Sequence, residues 1–228
     1  MTAVPYFALV ASALALLLAY YFANTVMKAD EGTDLMKEIG QAIREGAMAF
    51  LRREYQWVSA FVAAMFVLLL IVPIEGRPSA SFAYLMGAVL SSIAGFVGMR
   101  IATAANTRTA NAAREGAAQA LPLAFKGGAV MGFTVAGLAL LGISFNYLLW
   151  VTWLGVDSAF QVVAAFGLGA SSIFFFARIG CVIYTKAADV GGDLVGKVEA
   201  GIPEDLSLIH ISEPTRRYAI SYAVFCLK

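Results

Sequence analysis

The chain has 228 residues, of which 61% are hydrophobic and 14% are charged, and its mean hydropathy is +0.78. Soluble proteins carry about 25% charged residues, so the composition excludes an ordinary water-soluble domain and predicts a polytopic membrane protein. A net charge of +1, two cysteines and one histidine also argue against a nucleic-acid partner, a disulfide framework and a Cys/His zinc cluster.

Five apolar stretches are long enough to cross a bilayer. The first, residues 5–26, contains no charged residue and lacks the basic start and cleavage site of a signal peptide, so we predict that it is retained as a span. The others are residues 55–73, 82–105, 127–154 and 160–184. The predicted fold class is therefore an all-α, polytopic transmembrane helix bundle.

The basic residues indicate the orientation of these spans. Twelve of them lie in three polar connections, residues 28–53, 100–126 and 178–197, whereas Arg77 stands alone on the other side. By the positive-inside rule, those three segments are cytoplasmic and the amino terminus is outside.

The first cytoplasmic segment, residues 30–54, predicts an amphipathic helix that leads into the second span. Its apolar residues recur at spacings of three and four: Leu35, Ile39, Ala42, Ile43, Ala47, Phe50 and Leu51. Two interpretations are open: the apolar stripe packs on the bundle, or it lies on the lipid surface.

Small residues repeat every four positions in two spans. Gly87, Ser91 and Gly95 form one series, and Gly128 with Gly132 forms another. Such series allow helix backbones to approach closely, so both predict tight helix packing.

Residues 178–199, RIGCVIYTKAADVGGDLVGKVE, place charges on one helix face. At 100° per residue, this face spans an arc of about 100° and carries Arg178, Lys186, Asp189, Asp193 and Lys197. Carboxylates at i and i+4 repel each other, and hard oxygen ligands at this separation suit Mg²⁺, which completes its shell with water and phosphate. The lysines would then contact phosphate oxygens.

An alternative for the same face is intrahelical salt bridging, Lys186 with Asp189 and Asp193 with Lys197, at about 0.3–0.5 kcal/mol per pair. The spacing alone does not decide between the two. Arg178 follows the apolar run 173–176, and an ionisable residue at membrane depth is a functional candidate. Its alternative is snorkelling of the long side chain to the interface.

Several strings resemble one family. YTKAADVGGDLVGKVEAGIPED closely resembles the first substrate-binding motif of the membrane-integral, ion-pumping pyrophosphatases. EGAMAFLRREY resembles the start of that family's second span, and NTRTANAAREG with ALPLAFKGGAVMGF resembles its second cytoplasmic loop and fourth span. The resemblance covers residues 1–205, which hold about five of about sixteen family spans.

The resemblance implies a homodimeric enzyme of a prokaryotic inner membrane. Such an enzyme uses Mg²⁺ to hydrolyse cytosolic pyrophosphate and moves H⁺ or Na⁺ outward, and activation by K⁺ is left open. The implied roles are substrate binding for Lys186, Asp189, Asp193, Lys197 and Glu199, metal binding for Asp189 and Asp193, and ion coupling for Arg178. Cys181 and Val182 stand where the family usually has glycine, and Gly192 stands where it has alanine.

After Asp205 the resemblance stops, and we expect residues 206–228 to be a non-native tail. The family's attacking water is held by aspartates of later helices, so we expect no catalytic residue in this chain and no activity from it alone. The alternative function is a non-enzymatic transporter or channel subunit whose fifth span lines an ion path.

Overall fold

The computed structural model describes residues 4–72, 77–157, 159–194 and 198. In chain order its elements are α1 (Val4–Lys28), α2 (Asp34–Ile71), α3 (Arg77–Ala113), α4 (Ala117–Asn146), a π-helical segment (Tyr147–Trp153) and α5 (Ala159–Asp193). The described residues contain no strand, and five helices are long and apolar enough to cross a membrane. The all-α, polytopic prediction is thus confirmed.

The chain divides into two compact units, Met1–Gly180 and Cys181–Lys228. The first contains α1 to α4 and most of α5, and its packing is described here. The described part of the second unit is the last part of α5 together with residues 194 and 198.

Several helices continue beyond the predicted spans. α2 has 38 residues, or about 57 Å at 1.5 Å per residue, whereas the hydrocarbon core is about 30 Å thick. It begins after Thr33, whose side-chain oxygen accepts a hydrogen bond from the Met36 N–H at 3.4 Å, a typical N-cap. The amphipathic segment and the second span are therefore one helix, as predicted.

Only part of the predicted apolar stripe of α2 packs on the bundle. Ala47 and Leu51 are buried together with Gly40, where an added Cβ would lie 2.5 Å from the Thr107 Cγ2 atom of α3. Leu35 and Ile39 are more than half exposed. The packed interpretation therefore holds for the later residues of the segment and not for its first turns.

α3 is the central helix of the first unit. It contacts α1, α2 and α4, and its backbone touches α5 at two glycines. An added Cβ at Gly87 would collide with the Phe166 carbonyl oxygen, and one at Gly169 would collide with the Tyr84 carbonyl oxygen. Around this crossing lies a core of α2, α3 and α5 side chains: Val58, Val62, Ala80, Ala83, Tyr84, Ala88, Val162, Ala165, Phe166 and Ile173.

The packing role predicted for Gly87, Ser91 and Gly95 is confirmed. Beyond the Gly87 contact, the Ser91 hydroxyl donates to the Ala170 carbonyl of α5 at 3.3 Å. The Tyr55 hydroxyl of α2 would lie 3.3 Å from a Cβ at Gly95, and it donates to the Ser92 carbonyl at 2.6 Å. This face of α3 therefore holds both α2 and α5.

The same prediction is wrong for Gly128 and Gly132. Both are exposed, and an added Cβ at either would meet no described atom within 4 Å. α4 instead packs through Gly127 against Ala105 and through Gly137 against Leu16 of α1. Spacing identified a face of small residues but not which face meets a neighbour.

The fourth predicted span, residues 127–154, ends as expected near Trp153, but its last part is not α-helical. The α-helix stops at Asn146 and a π-helix follows to Trp153. The Asn146 side chain is buried and donates to the Gly142 carbonyl at 2.8 Å, so its amide is satisfied within the helix that it ends.

We predict opposite effects for two alanine substitutions in α5. Gly169→Ala should lower the unfolding midpoint, because its Cβ requires the α3 backbone to move. Gly167→Ala should leave stability unchanged or raise it by up to about 1 kcal/mol through helix propensity, since no atom lies within 4 Å of its Cβ. Thermal unfolding in detergent, followed by circular dichroism, measures both. Equal stability of the two variants would contradict the crossing.

Candidate functional site

Three of the five residues predicted to bind substrate, Lys186, Asp189 and Asp193, lie in the last part of α5. Lys186 is exposed, and α5 remains helical through Asp189 and Asp193, which are one turn apart. The side chains of both aspartates lie outside the described part of the chain, as do Lys197 and Glu199. A shared charged face requires a continuous helix, and α5 supplies one up to Asp193. The roles of these residues in binding substrate and metal stay predictions.

Arg178 occupies an exposed face of α5 in the first unit. Phe174 and Phe175, which precede it by four and three residues, are each more than 60% exposed, so the three side chains share one side of the helix. No hydrogen bond or ion pair joins Arg178 to another residue of the described ranges. Its coupling role and its snorkelling alternative both stay predictions.

The opposite side of α5 rests on α2. Gly180 is buried, and a Cβ there would lie 2.7 Å from both the Glu54 Oε1 and the Phe50 Cζ atoms. Four residues earlier in α5, the Phe176 ring packs on the Phe61 ring of α2, with the ring centroids 5.0 Å apart. These two contacts fix how far along α2 the helix α5 is placed.

Glu54 is the unusual member of this contact. Its Oε1 atom is buried and has no hydrogen-bond partner within the described part of the chain, an arrangement that costs free energy because the oxygen loses its water. Glu54 belongs to the string EGAMAFLRREY but was not predicted to be a functional residue. Helical periodicity places it beside Phe50 and Leu51, yet no sequence signal indicates that it faces a glycine of α5.

A second polar centre lies where α1 ends. The Arg108 side chain of α3 is only 6% exposed, and its guanidinium donates to three carbonyl oxygens: Nε to Ala29 at 3.0 Å, Nη1 to Ala104 at 2.7 Å and Nη2 to Met27 at 3.4 Å. The Met27 and Ala29 carbonyls lie at the C-terminal end of α1, where oxygens lack helical partners and attract a cation. Arg108 therefore acts as the cap of α1.

Glu31 completes the Arg108 cluster, which consists of Arg108, Glu31 and Arg44. The Glu31 Oε1 atom lies 2.9 Å from Arg108 Nη2 and 3.5 Å from Arg44 Nη1. One carboxylate thus joins α3 to the first half of α2. This cluster was not predicted, because Arg108 is far in sequence from Glu31 and Arg44 and no sequence pattern links them.

The turn between α1 and α2 fits closely beside the Arg108 cluster. Gly32 has φ of +88°, a conformation that favours glycine, and a Cβ there would lie 2.8 Å from Asn111 Oδ1. The neighbouring Asp30 accepts hydrogen bonds from the Gly32 N–H at 3.2 Å and from the Asn111 amide at 3.4 Å. The start of α2 is therefore held against the end of α3.

Most of the residues described above match a known protein family. The family model described as inorganic H⁺ pyrophosphatase matches residues 13–207. This range includes α1 from its third turn, all of α2 to α5, and every residue predicted to bind substrate or metal.

Three curated relatives illustrate the similarity. A Methanosarcina mazei protein named a K⁺-insensitive pyrophosphate-energized proton pump is 47% identical over 195 residues. A Bacteroides thetaiotaomicron protein, provisionally named a K⁺-stimulated pyrophosphate-energized sodium pump, is 46% identical over 208 residues. A Moorella thermoacetica protein named K⁺-insensitive pyrophosphate-energized proton pump 2 is 44% identical over 192 residues. The matches cover 84–86% of this chain and 28% of each relative, so the chain spans just over a quarter of their length.

We predict that Arg108→Met destabilises the protein by about 1.5–3 kcal/mol, the range for hydrogen bonds made by charged groups. The substitution leaves the α1 carbonyls without their donor and Glu31 with Arg44 alone. Chemical unfolding in detergent measures the change. Arg114→Met is the matched control, since Arg114 is exposed and should matter by at most about 0.5 kcal/mol. Equal effects of the two substitutions would refute the capping role.

Proposed function

This chain belongs to the inorganic H⁺ pyrophosphatase family, and on that basis we propose that the whole protein hydrolyses pyrophosphate and pumps H⁺ or Na⁺ across the membrane. The observation that supports the proposal is the family match over residues 13–207, which includes the charged end of α5. The matched relatives carry names of pyrophosphate-energized proton and sodium pumps.

We assign substrate binding to the charged face of α5. Lys186, exposed on the helix, would donate to pyrophosphate oxygens as a point charge, and Lys197 and Glu199 would support the same site. Asp189 and Asp193 supply carboxylates one helical turn apart, the donor chemistry that Mg²⁺ prefers, with substrate and water completing its shell. Bound Mg²⁺ would neutralise charge on the phosphoryl oxygens.

In this scheme, the side chains of the chain position the substrate rather than attack it. The two aspartates would hold the charged end of the complex against α5, and Lys186 would fix its orientation from the neighbouring turn. Positioning of this kind accounts for much of the rate in phosphoryl transfer. The continuous helix through Asp193 supports the arrangement because it keeps the two carboxylates on adjacent turns.

Arg178 is proposed as the link between this site and ion movement. It precedes Lys186 on the same helix, and its exposed face with Phe174 and Phe175 is available for contact with other spans. A guanidinium at membrane depth requires a carboxylate or water-lined partner. Such a partner would respond to movement of α5 when substrate binds.

The finer assignments belong to the same proposal. We place the amino terminus outside and the α5 motif in the cytoplasm of a prokaryotic cell, in its inner membrane, and we expect the whole protein to be a homodimer. Residues 206–228 are proposed as a non-native tail; they lie outside the described residues. Activation by K⁺ stays open, because one relative is named K⁺-insensitive and another K⁺-stimulated.

Substitution of the two aspartates tests the site in the full-length protein. Asp189→Asn and Asp193→Asn should each lower Mg²⁺-dependent pyrophosphate hydrolysis by about 100-fold or more, as the loss of one preorganised electrostatic group does. Lys186→Met should mainly raise KM. The measurement is phosphate release by purified enzyme.

Gly192→Ala is the matched control, since it introduces the residue usual in the family and should leave hydrolysis near its original rate. Near-normal hydrolysis by both aspartate variants would favour the salt-bridge alternative. Failure of the unmodified protein to bind pyrophosphate with Mg²⁺ would favour a non-enzymatic transporter.

Cysteine labelling tests the orientation. In a variant without Cys181 and Cys226, Asp157→Cys should react with an impermeant maleimide in intact cells, whereas Glu115→Cys should react only after permeabilisation. Both positions are exposed, so access to the reagent depends on the side of the membrane. Labelling of the Glu115→Cys variant in sealed cells would reverse the assignment.

A further inference from the structure

One side of α2 is exposed along the whole membrane-spanning part of the helix. Seven exposed residues of α2 share an arc of about 100° at 100° per residue. We call them the α2 outer face: Arg53, Trp57, Ala60, Ala64, Val67, Leu68 and Ile71. From Arg53 to Ile71 the helix rises about 27 Å, close to the roughly 30 Å of the hydrocarbon core. Arg53 and Trp57 therefore lie at one boundary of the membrane.

The charged end of this face has a defined arrangement. The Arg53 guanidinium carbon lies 5.8 Å from the Trp57 ring centroid, a cation–π contact, and Arg53 Nη1 donates to Gln56 Oε1 at 3.0 Å. Arg52 is exposed beside it. Neither arginine forms an ion pair with any residue in the described ranges, and Oε1 of the adjacent Glu54 is buried beside Gly180.

We propose that the α2 outer face, together with Arg52, binds an anionic phospholipid. Arg52 and Arg53 would donate to the headgroup phosphate, since guanidinium groups match phosphate geometry with two parallel hydrogen bonds. Trp57 lies one turn below, at the depth where tryptophan is enriched in membrane proteins. The negative charge of anionic lipids in the cytoplasmic leaflet complements two arginines that no described carboxylate neutralises.

The apolar part of the face fits an acyl chain. Ala60 and Ala64 are small, whereas Trp57 above them and Val67 below are larger, so the helix surface is recessed between them. A protein helix seated on Ala60 and Ala64 would also cover Arg53 and would have to supply a carboxylate for it. A phospholipid supplies the anion and the apolar chain in one molecule.

The test compares two lipids with identical acyl chains on the delipidated 228-residue chain. Native mass spectrometry should show higher affinity for phosphatidylglycerol than for phosphatidylcholine, by about 30-fold for two arginines near the surface. The combined substitution Arg52→Gln and Arg53→Gln should abolish this preference. The control, Lys37→Gln with Arg114→Gln, removes two other exposed charges and should preserve it.

A second pair of variants tests the acyl chain without changing charge. Ala64→Phe should weaken phosphatidylglycerol binding by filling the recess. Ala63→Phe, on an exposed neighbouring face about 100° away, should not. Equal binding of the two lipids by the unmodified chain would overturn the proposal, as would an equal loss of preference in the two charge variants. Equal effects of the two phenylalanine substitutions would overturn the acyl-chain contact.

Discussion

The bundle depends on a close approach between two helix backbones. In a bilayer, helices gain little by burying apolar side chains against each other, because lipid tails are equally apolar. The fit between the two helix surfaces therefore decides where α3 and α5 meet. Gly87 and Gly169 allow this fit, because at each glycine a carbonyl oxygen of the other helix occupies the place of a side chain. The close contact brings Ser91 within hydrogen-bond distance of the Ala170 carbonyl. This directional bond supplements the van der Waals packing of the two helices.

Two further contacts join α2 to this crossing within the first unit. Tyr55 ties α2 to α3 through the Ser92 carbonyl, and Glu54, the residue before it, meets Gly180 of α5. α2 is thus joined to both α3 and α5 within the first unit. A buried carboxylate oxygen without a described partner is a costly part of such a contact, and costly polar groups in proteins are often found where function requires them.

Composition and hydropathy were sufficient to predict the five spans, because a bilayer allows few alternatives to an apolar helix. Continuation of a helix past its apolar span was predicted for α2, from its amphipathic period, and for α5, from its charged face, but not for α3 or α4. Residue spacing could not distinguish Gly87, which meets α5, from Gly128, which meets nothing within 4 Å, since both series have the same pattern. The candidate site was predicted as a helix face because its charges are local in sequence, whereas the Arg108 cluster joins residues that only the folded chain brings together.

Three arginines, Arg53, Arg108 and Arg178, have different surroundings in the fold. The positive-inside rule gives all three the same weight as basic residues. In the structure, Arg108 is buried and pairs with Glu31, whereas Arg53 is exposed and stacks on Trp57. Arg178 has neither a carboxylate nor an aromatic contact among the described residues, and the rings exposed beside it leave an apolar setting for its charge. Arg108 can be explained by capping and Arg53 by the membrane surface. Neither capping nor ring stacking accounts for Arg178 among the described residues, which is why the ion-coupling proposal rests on it and not on the other two.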